Sequence, residues 1–130
     1  AMAISDAAHL SCTANDFGYE HVFSRFIDGF GQKGDVLLAI STSGKSQNIL
    51  NAAQSARCCG MSVISLTGCA NSPLTQLADI DICTPAVTPF SDRVQELHIK
   101  CLHILVELCE RELFSSLYRI DDKTEKKHKG

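Results

Sequence analysis

Three short apolar runs, DVLLAI (35–40), MSVISLT (61–67) and DIDICTP (79–85), dominate the middle of this chain. The first of them, DVLLAI, is a short continuous apolar run, typical of a parallel strand covered on both faces. Between the first two runs, Ile49, Leu50, Ala53 and Ala56 recur at helical spacing until Gly60 stops the pattern. Strand, helix, strand in succession predicts an α/β fold, with a parallel sheet in a three-layer arrangement and right-handed crossovers. AMAIS (1–5) reads as a further buried strand, which makes about four. Within NDFGYEHVFSRFIDGFG (15–31), Val22, Phe23, Phe26, Ile27 and Phe30 share one helical stripe, terminated by Gly29, Gly31 and Gly34. NSPLTQLAD is expected to be a loop with a short helix.

VTPFSDR leads into a long helix, expected from about Asp92 to Phe114, with Asp92 and Gln95 spaced as in a capping box. Val94, Leu97, Ile99, Cys101, Leu102, Ile104, Leu105, Val106 and Leu108 make that helix apolar on most sides. One sheet face cannot cover so much, so burial at a subunit interface is the expected consequence. Residues 1–114 read as one domain and 115–130, ending DDKTEKKHKG, as a solvated, frayed tail.

Charge and cysteine content narrow the function classes. Twelve basic against fifteen acidic side chains give a net charge of -3, which lacks a basic footprint for nucleic acid. No apolar run approaches the ~20 residues that span a bilayer, and no signal peptide is visible. The seven cysteines are odd in number and lack CxxC spacing, and several lie in apolar stretches (Cys83, Cys101, Cys109). They read as small buried thiols in a reducing cytoplasm rather than as disulfides or a cysteine-zinc site.

The first strand runs into ISTSGKSQNIL, a strand-to-helix corner carrying Ser41, Thr42, Ser43 and Ser46 around Gly44. Ligands of open parallel sheets sit beyond the carboxyl ends of the strands, where this corner lies. A helix amino terminus offers free N–H groups and a partial positive charge, and four hydroxyls can donate to phosphate oxygens. Gly44 would let backbone approach such an anion closely. A plain helix cap with a polar turn is the alternative. Gly44-Lys45-Ser46 also matches the end of a Walker A loop, but Ala39 occupies the first glycine position and no strand ends in an Asp suited to Mg²⁺, which argues against nucleotide hydrolysis.

GDVLLAISTSGKSQNIL resembles the phosphosugar-binding core of sugar isomerase (SIS) domains, whose sheet is flavodoxin-like. AISDAAHLSCTANDFGYEHVFSRFI and SDRVQELHIKCLHILVELCE narrow the resemblance to phosphoheptose isomerases, over about residues 1–114. It implies conversion of sedoheptulose 7-phosphate to an aldoheptose 7-phosphate, D-glycero-D-manno-heptose 7-phosphate, in heptose and lipopolysaccharide precursor synthesis. It further implies a cytoplasmic homotetramer and often a zinc ion. Ser41, Thr42, Ser43 and Ser46 match the family's phosphate-binding hydroxyls, while Lys45 stands where Asn is common and reads as solvated. Asn15 and Asp16 match a sugar-contacting pair, although a helix start there would equally suit capping. Asp92 matches a substrate-side acid, Gln95 a substrate and metal contact, and His103 the catalytic and metal-binding histidine.

Ketose–aldose isomerisation needs a base near C1/C2, an acid near the carbonyl oxygen and stabilisation of an enediol. His103 suits the acid role. His98 competes on the same helix, about 140° around from His103, and spacing from Gln95 does not choose between them; the resemblance chooses His103. A lone histidine in an apolar helix is otherwise a core residue. Gln95 and His103 lie about 12 Å apart along an ideal helix, so joint metal ligation requires an irregular helix start or two subunits, and a site shared at an interface is expected. Family members carry about one more third of chain before this point, including a glycine- and serine-rich loop and a helix with a His and the Glu presumed to be the base. The chain thus reads as the carboxy-terminal two-thirds of such an isomerase, a fragment or truncated gene product. Glu20 and Glu96 match no catalytic position and read as solvated. A non-catalytic sugar-phosphate-binding module, or a regulator like the related protein that associates with the bacterial replication initiator, is the competing class.

Overall fold

Parallel strands persist only where each finds a ladder partner and a covered face, and the densest apolar runs meet both conditions. The computed structural model describes residues 1–85 and 90–118. Strands β1 (Val36–Ser41), β2 (Ser62–Thr67) and β3 (Ile80–Cys83) form a parallel sheet in the order β1-β2-β3. Helices α1 (Ala7–Phe17) and α2 (Ser24–Phe30) precede the sheet, α3 (Gln47–Cys58) connects β1 to β2 and α4 (Ser91–Leu113) follows β3, with short 3₁₀ turns at Tyr19–His21 and Ser115–Tyr118. The chain divides into two compact units, Ala1–His98 and Ile99–Gly130.

In the first unit the ladder pairs Leu37 with Val63, Ala39 with Ser65 and Ser41 with Thr67. Successive strand residues face opposite sides, so these pairs share one face. Ala39 and Val63 on that face pack into a core with Ile27 of α2, Ala52, Ala53 and Ala56 of α3, and Leu74. The three alanines let α3 lie close to the sheet, as the helical spacing predicts; Ile49 and Leu50 flank this core half-buried. The opposite face carries Leu38, Ile40, Leu66 and Ile82. Leu66 is fully buried there, whereas Val36 and Ile80 are more than half exposed.

In the second unit α4 continues from Ile99, with Ile99, Ile104, Val106, Leu108 and Leu113 exposed and Cys101, Leu102 and Leu105 half-buried. Arg111 pairs with Glu107 at 2.7 Å and lies 4.9 Å from the centre of the Tyr118 ring, whose hydroxyl donates to Glu110. The charged residues 119–130 and the 86–89 part of the VTPFSDR lead-in lie outside the described residues.

Several expectations are corrected. AMAIS forms no strand, so three strands are present among the described residues rather than about four. An extended segment gains little without a ladder partner, and only Ile4 of this stretch reaches the core. β1 is not covered on both faces: Ile40, on the face opposite the core, is 39% exposed, and β1 lies at one edge of the sheet. The helix expected near Asn15 instead begins at Ala7, where Asp6 Oδ1 accepts from the His9 amide at 2.7 Å, and ends at Phe17 with Gly18 at φ 91°. The apolar stripe 22–30 is thereby split, and Phe30 is exposed. NSPLTQLAD forms turns with no helix, because Ser72 and Thr75 bond each other locally. The capping box is absent: α4 starts at Ser91, placing Asp92 inside the first turn, where it accepts from the Arg93 amide. None of the seven cysteines is buried; Cys59, Cys83 and Cys101 are half-buried, the others exposed, and all are free.

Candidate functional site

β1 delivers the chain to the carboxyl edge of the sheet at Ser41, and α3 leaves from Ser46. The intervening loop is held from within. Ser41 is buried, and its Oγ accepts from the Gly44 amide at 3.1 Å and shares a 3.1 Å hydrogen bond with Ser46 Oγ. Ser43 Oγ accepts from the Lys45 amide at 3.2 Å. Ser46 occupies the N-cap position, but its hydroxyl makes no capping bond to the helix. The hydroxyl placed to cap the helix bonds Ser41 instead. Thr42 is half-buried, Ser43, Ser46 and Lys45 are exposed, and Lys45 is solvated as expected.

Gly44 has a role in the fold itself. Its φ is 63°, and a Cβ at this position would collide with Oγ and Cβ of Ser72. Its carbonyl accepts from the Leu74 amide at 3.1 Å. The glycine therefore admits the turn 72–75 against the loop. Ser72, 2% exposed, was not singled out from sequence; a Ser-Pro pair at a turn was the available signal.

The start of α4 reaches the same end of the sheet. The Gly68 amide donates to the Thr42 carbonyl at 3.0 Å, and Val94 seats directly over Gly68. Asp92 and Gln95 flank Val94 and are exposed. Asp92 is engaged by Arg93, whose guanidinium also pairs with Glu96 at 2.6 Å, which leaves Glu96 a surface carboxylate. Gln95 makes no hydrogen bond among the described residues. His98, one turn beyond Val94, is 3% exposed, and neither ring nitrogen finds a partner among the described residues. His98 is thus the core histidine of the pair. His103, in the second unit, is exposed.

Asn15 and Asp16 end α1 instead of starting a helix, which removes capping as their role. Asn15 Nδ2 donates to Asp16 Oδ1 at 2.8 Å, and the Cys12 thiol donates to Asp16 Oδ2 at 3.5 Å. That bond, reinforced by the negative charge of Asp16, raises the Cys12 pKa above its ordinary value. The following 3₁₀ turn packs on α3, and Asn51 Nδ2 donates to the Glu20 carbonyl at 2.9 Å. Glu20 itself is exposed. Among the described residues no group of three or more His, Cys, Asp or Glu could hold a metal ion.

The chain matches, over residues 1–68, a family described as the SIS domain. It is 58% identical over 113 residues to the phosphoheptose isomerase of Histophilus somni, covering 87% of this chain and 57% of that protein. The phosphoheptose isomerase of Serratia proteamaculans is 53% identical over the same length, of which 58% is covered. Among solved structures, the phosphoheptose isomerases of Neisseria gonorrhoeae and Francisella tularensis superpose with TM-scores of 0.77 and 0.76, at 35% and 32% identity. Each match covers 82% of this chain, and 59% and 56% of those chains respectively. The chain thus spans somewhat more than half the length of the relatives it matches.

Proposed function

Since the chain belongs to the SIS-domain family, we propose that it is the phosphosugar-binding part of a ketose–aldose isomerase converting sedoheptulose 7-phosphate to D-glycero-D-manno-heptose 7-phosphate, a step toward lipopolysaccharide heptose. The observation that carries this reading is the corner Ser41–Ser46, whose N-cap hydroxyl is withheld from the helix. Phosphate at the α3 amino terminus is stabilised by the helix dipole by roughly 0.3–2 kcal/mol, and each hydroxyl bond to the charged acceptor adds about 1.5–3 kcal/mol. Ser41, Thr42, Ser43 and Ser46 bind the phosphate. Asn15, Asp16 and Asp92 contact the sugar, Gln95 contributes to substrate and metal, and His103 acts as the acid at the carbonyl oxygen.

No base is assigned in this chain. Glu96 is spent on Arg93 and Glu20 lies beyond the end of α1, so proton abstraction from carbon falls to chain that the relatives carry outside the matched span. On that ground binding without turnover is the second reading for the chain taken alone. Zinc, implied by the resemblance, finds no group of three or more His, Cys, Asp or Glu among the described residues that could hold it. We assign any metal site to an assembly of subunits, and no step is routed through it. Exposed Ile104, Val106 and Leu108 support self-association of a homotetramer, checked by sedimentation of the chain against Ile104→Glu. No helix among the described residues is long and apolar enough to cross a membrane, which is compatible with a cytoplasmic enzyme.

The test is NMR of the chain with sedoheptulose 7-phosphate in D₂O, with and without zinc. A shift or broadening of the phosphorus signal supports the phosphate corner. Aldose product or deuterium at C2 places a base in this chain after all. An unperturbed phosphorus signal overturns the proposal.

A further inference from the structure

Two substrate-gripping regions, the corner 41–46 and the Asn15–Asp16 end of α1, lie on separate segments of chain, and one side chain ties them together. Asn51, on the second turn of α3, donates through Nδ2 to the backbone carbonyl of Glu20 at 2.9 Å. Its Oδ1 accepts from Gln47 Nε2 at 2.7 Å, and Gln47 is the first residue of α3. The amide is therefore held at both ends, with its orientation fixed by a donor on one side and an acceptor on the other. The carbonyl it holds belongs to the 3₁₀ turn Tyr19–His21, which follows Asp16 after only Phe17 and Gly18. The approach there is tight: Gly18 has φ 91°, and a Cβ on it would strike the Glu20 carboxylate.

We propose that Asn51 is a positioning residue that locks the Asn15–Asp16 end of α1 onto the phosphate-binding helix, so that the sugar and the phosphate of one ligand are held at a fixed separation. This rests on the sugar-phosphate reading above. A fixed separation contributes only when both ends of a ligand are engaged, because preorganisation removes the cost of ordering one grip after the other is filled. An anion that occupies the phosphate corner alone gains nothing from it.

The test is a ³¹P NMR titration of the chain, Asn51→Leu and Asn51→Gln with sedoheptulose 7-phosphate and, separately, with inorganic phosphate. Leu matches Asn in size and keeps the helix but has no amide; Gln restores a donor. The expected result is a loss of roughly 3- to 10-fold in sugar-phosphate affinity for Asn51→Leu, the scale of one lost hydrogen bond. Inorganic phosphate should weaken by much less, and Asn51→Gln should recover most of the loss. Equal weakening of both ligands, or of neither, overturns the inference, with urea midpoints confirming that both variants fold. If the parent chain binds inorganic phosphate as tightly as the sugar phosphate, the lock falls while the phosphate corner stands. If it binds neither, the sugar-phosphate reading itself fails.

Discussion

Gly44→Ala isolates the demand that the loop 41–46 makes on the backbone. At φ 63° an L-residue costs roughly 1–2 kcal/mol relative to glycine. The new methyl also meets Ser72, which cannot simply swing away: it is 2% exposed, and its hydroxyl is bonded to Thr75 at 2.8 Å. Overpacking of this kind costs about 1–3 kcal/mol. The sum is about 2–5 kcal/mol, a large part of a typical domain's stability. The chain has no tryptophan, so urea unfolding followed by far-UV circular dichroism is the suitable assay. Pairing Gly44→Ala with Ser72→Gly in a double-mutant cycle separates the two terms. The double variant should be less destabilised than the sum of the singles by about 1–3 kcal/mol, leaving the backbone term. A cost below about 0.5 kcal/mol for Gly44→Ala would refute both the left-handed turn and the contact with Ser72, whereas strict additivity in the cycle would refute the contact alone.

Ser41→Ala removes the acceptor for the Gly44 amide and the partner of Ser46, so it should cost about 1 kcal/mol in urea and weaken phosphate binding by roughly tenfold or more; retained affinity in a ³¹P titration would count against the corner. His98→Leu replaces a buried imidazole whose nitrogens lack partners among the described residues, and should be neutral or raise stability by up to about 2 kcal/mol. A loss above about 1 kcal/mol would mean the ring is hydrogen-bonded. Cys12 should alkylate more slowly than the other exposed cysteines in mildly alkaline buffer, because a raised thiol pKa leaves less thiolate at a given pH. Asp16→Asn removes the cause and should speed Cys12 modification, read by site-resolved mass spectrometry; an unchanged rate would contradict the Cys12–Asp16 contact.

The strands β1, β2 and β3 were legible because continuous apolar runs leave little alternative, and α3 because its alanines recur at helical spacing. The hydroxyl corner was legible because hydroxyls at a strand-to-helix junction have few structural uses. What escaped depends on partners distant in sequence. AMAIS has the pattern of a strand, but pairing is a property of two segments, and no described strand pairs with it. The break at Gly18 was missed because the apolar stripe begins only at Val22 and carries no signal of the helix that precedes it. His98 and His103 look alike along the sequence; only Val94 seating on Gly68 shows which stretch of α4 turns inward. Asn51 carried no signal, because it matters through a contact across the fold, and Ser72 carried only the turn signal of a Ser-Pro pair.

The position of β1 at the sheet margin bears on how the protein exchanges hydrogen with solvent. In a parallel ladder alternate amides of a strand point to opposite neighbours, so along Val36–Ser41 every second N–H is directed away from β2. Those outward amides should trade deuterium quickly while their immediate neighbours in sequence stay protected. That alternation records how much of the strand's hydrogen-bonding capacity is still unclaimed. Any polypeptide laid against the margin, from this chain or another, would slow the fast set and leave the slow set where it was, which makes the two rates a direct report on whether that margin is occupied.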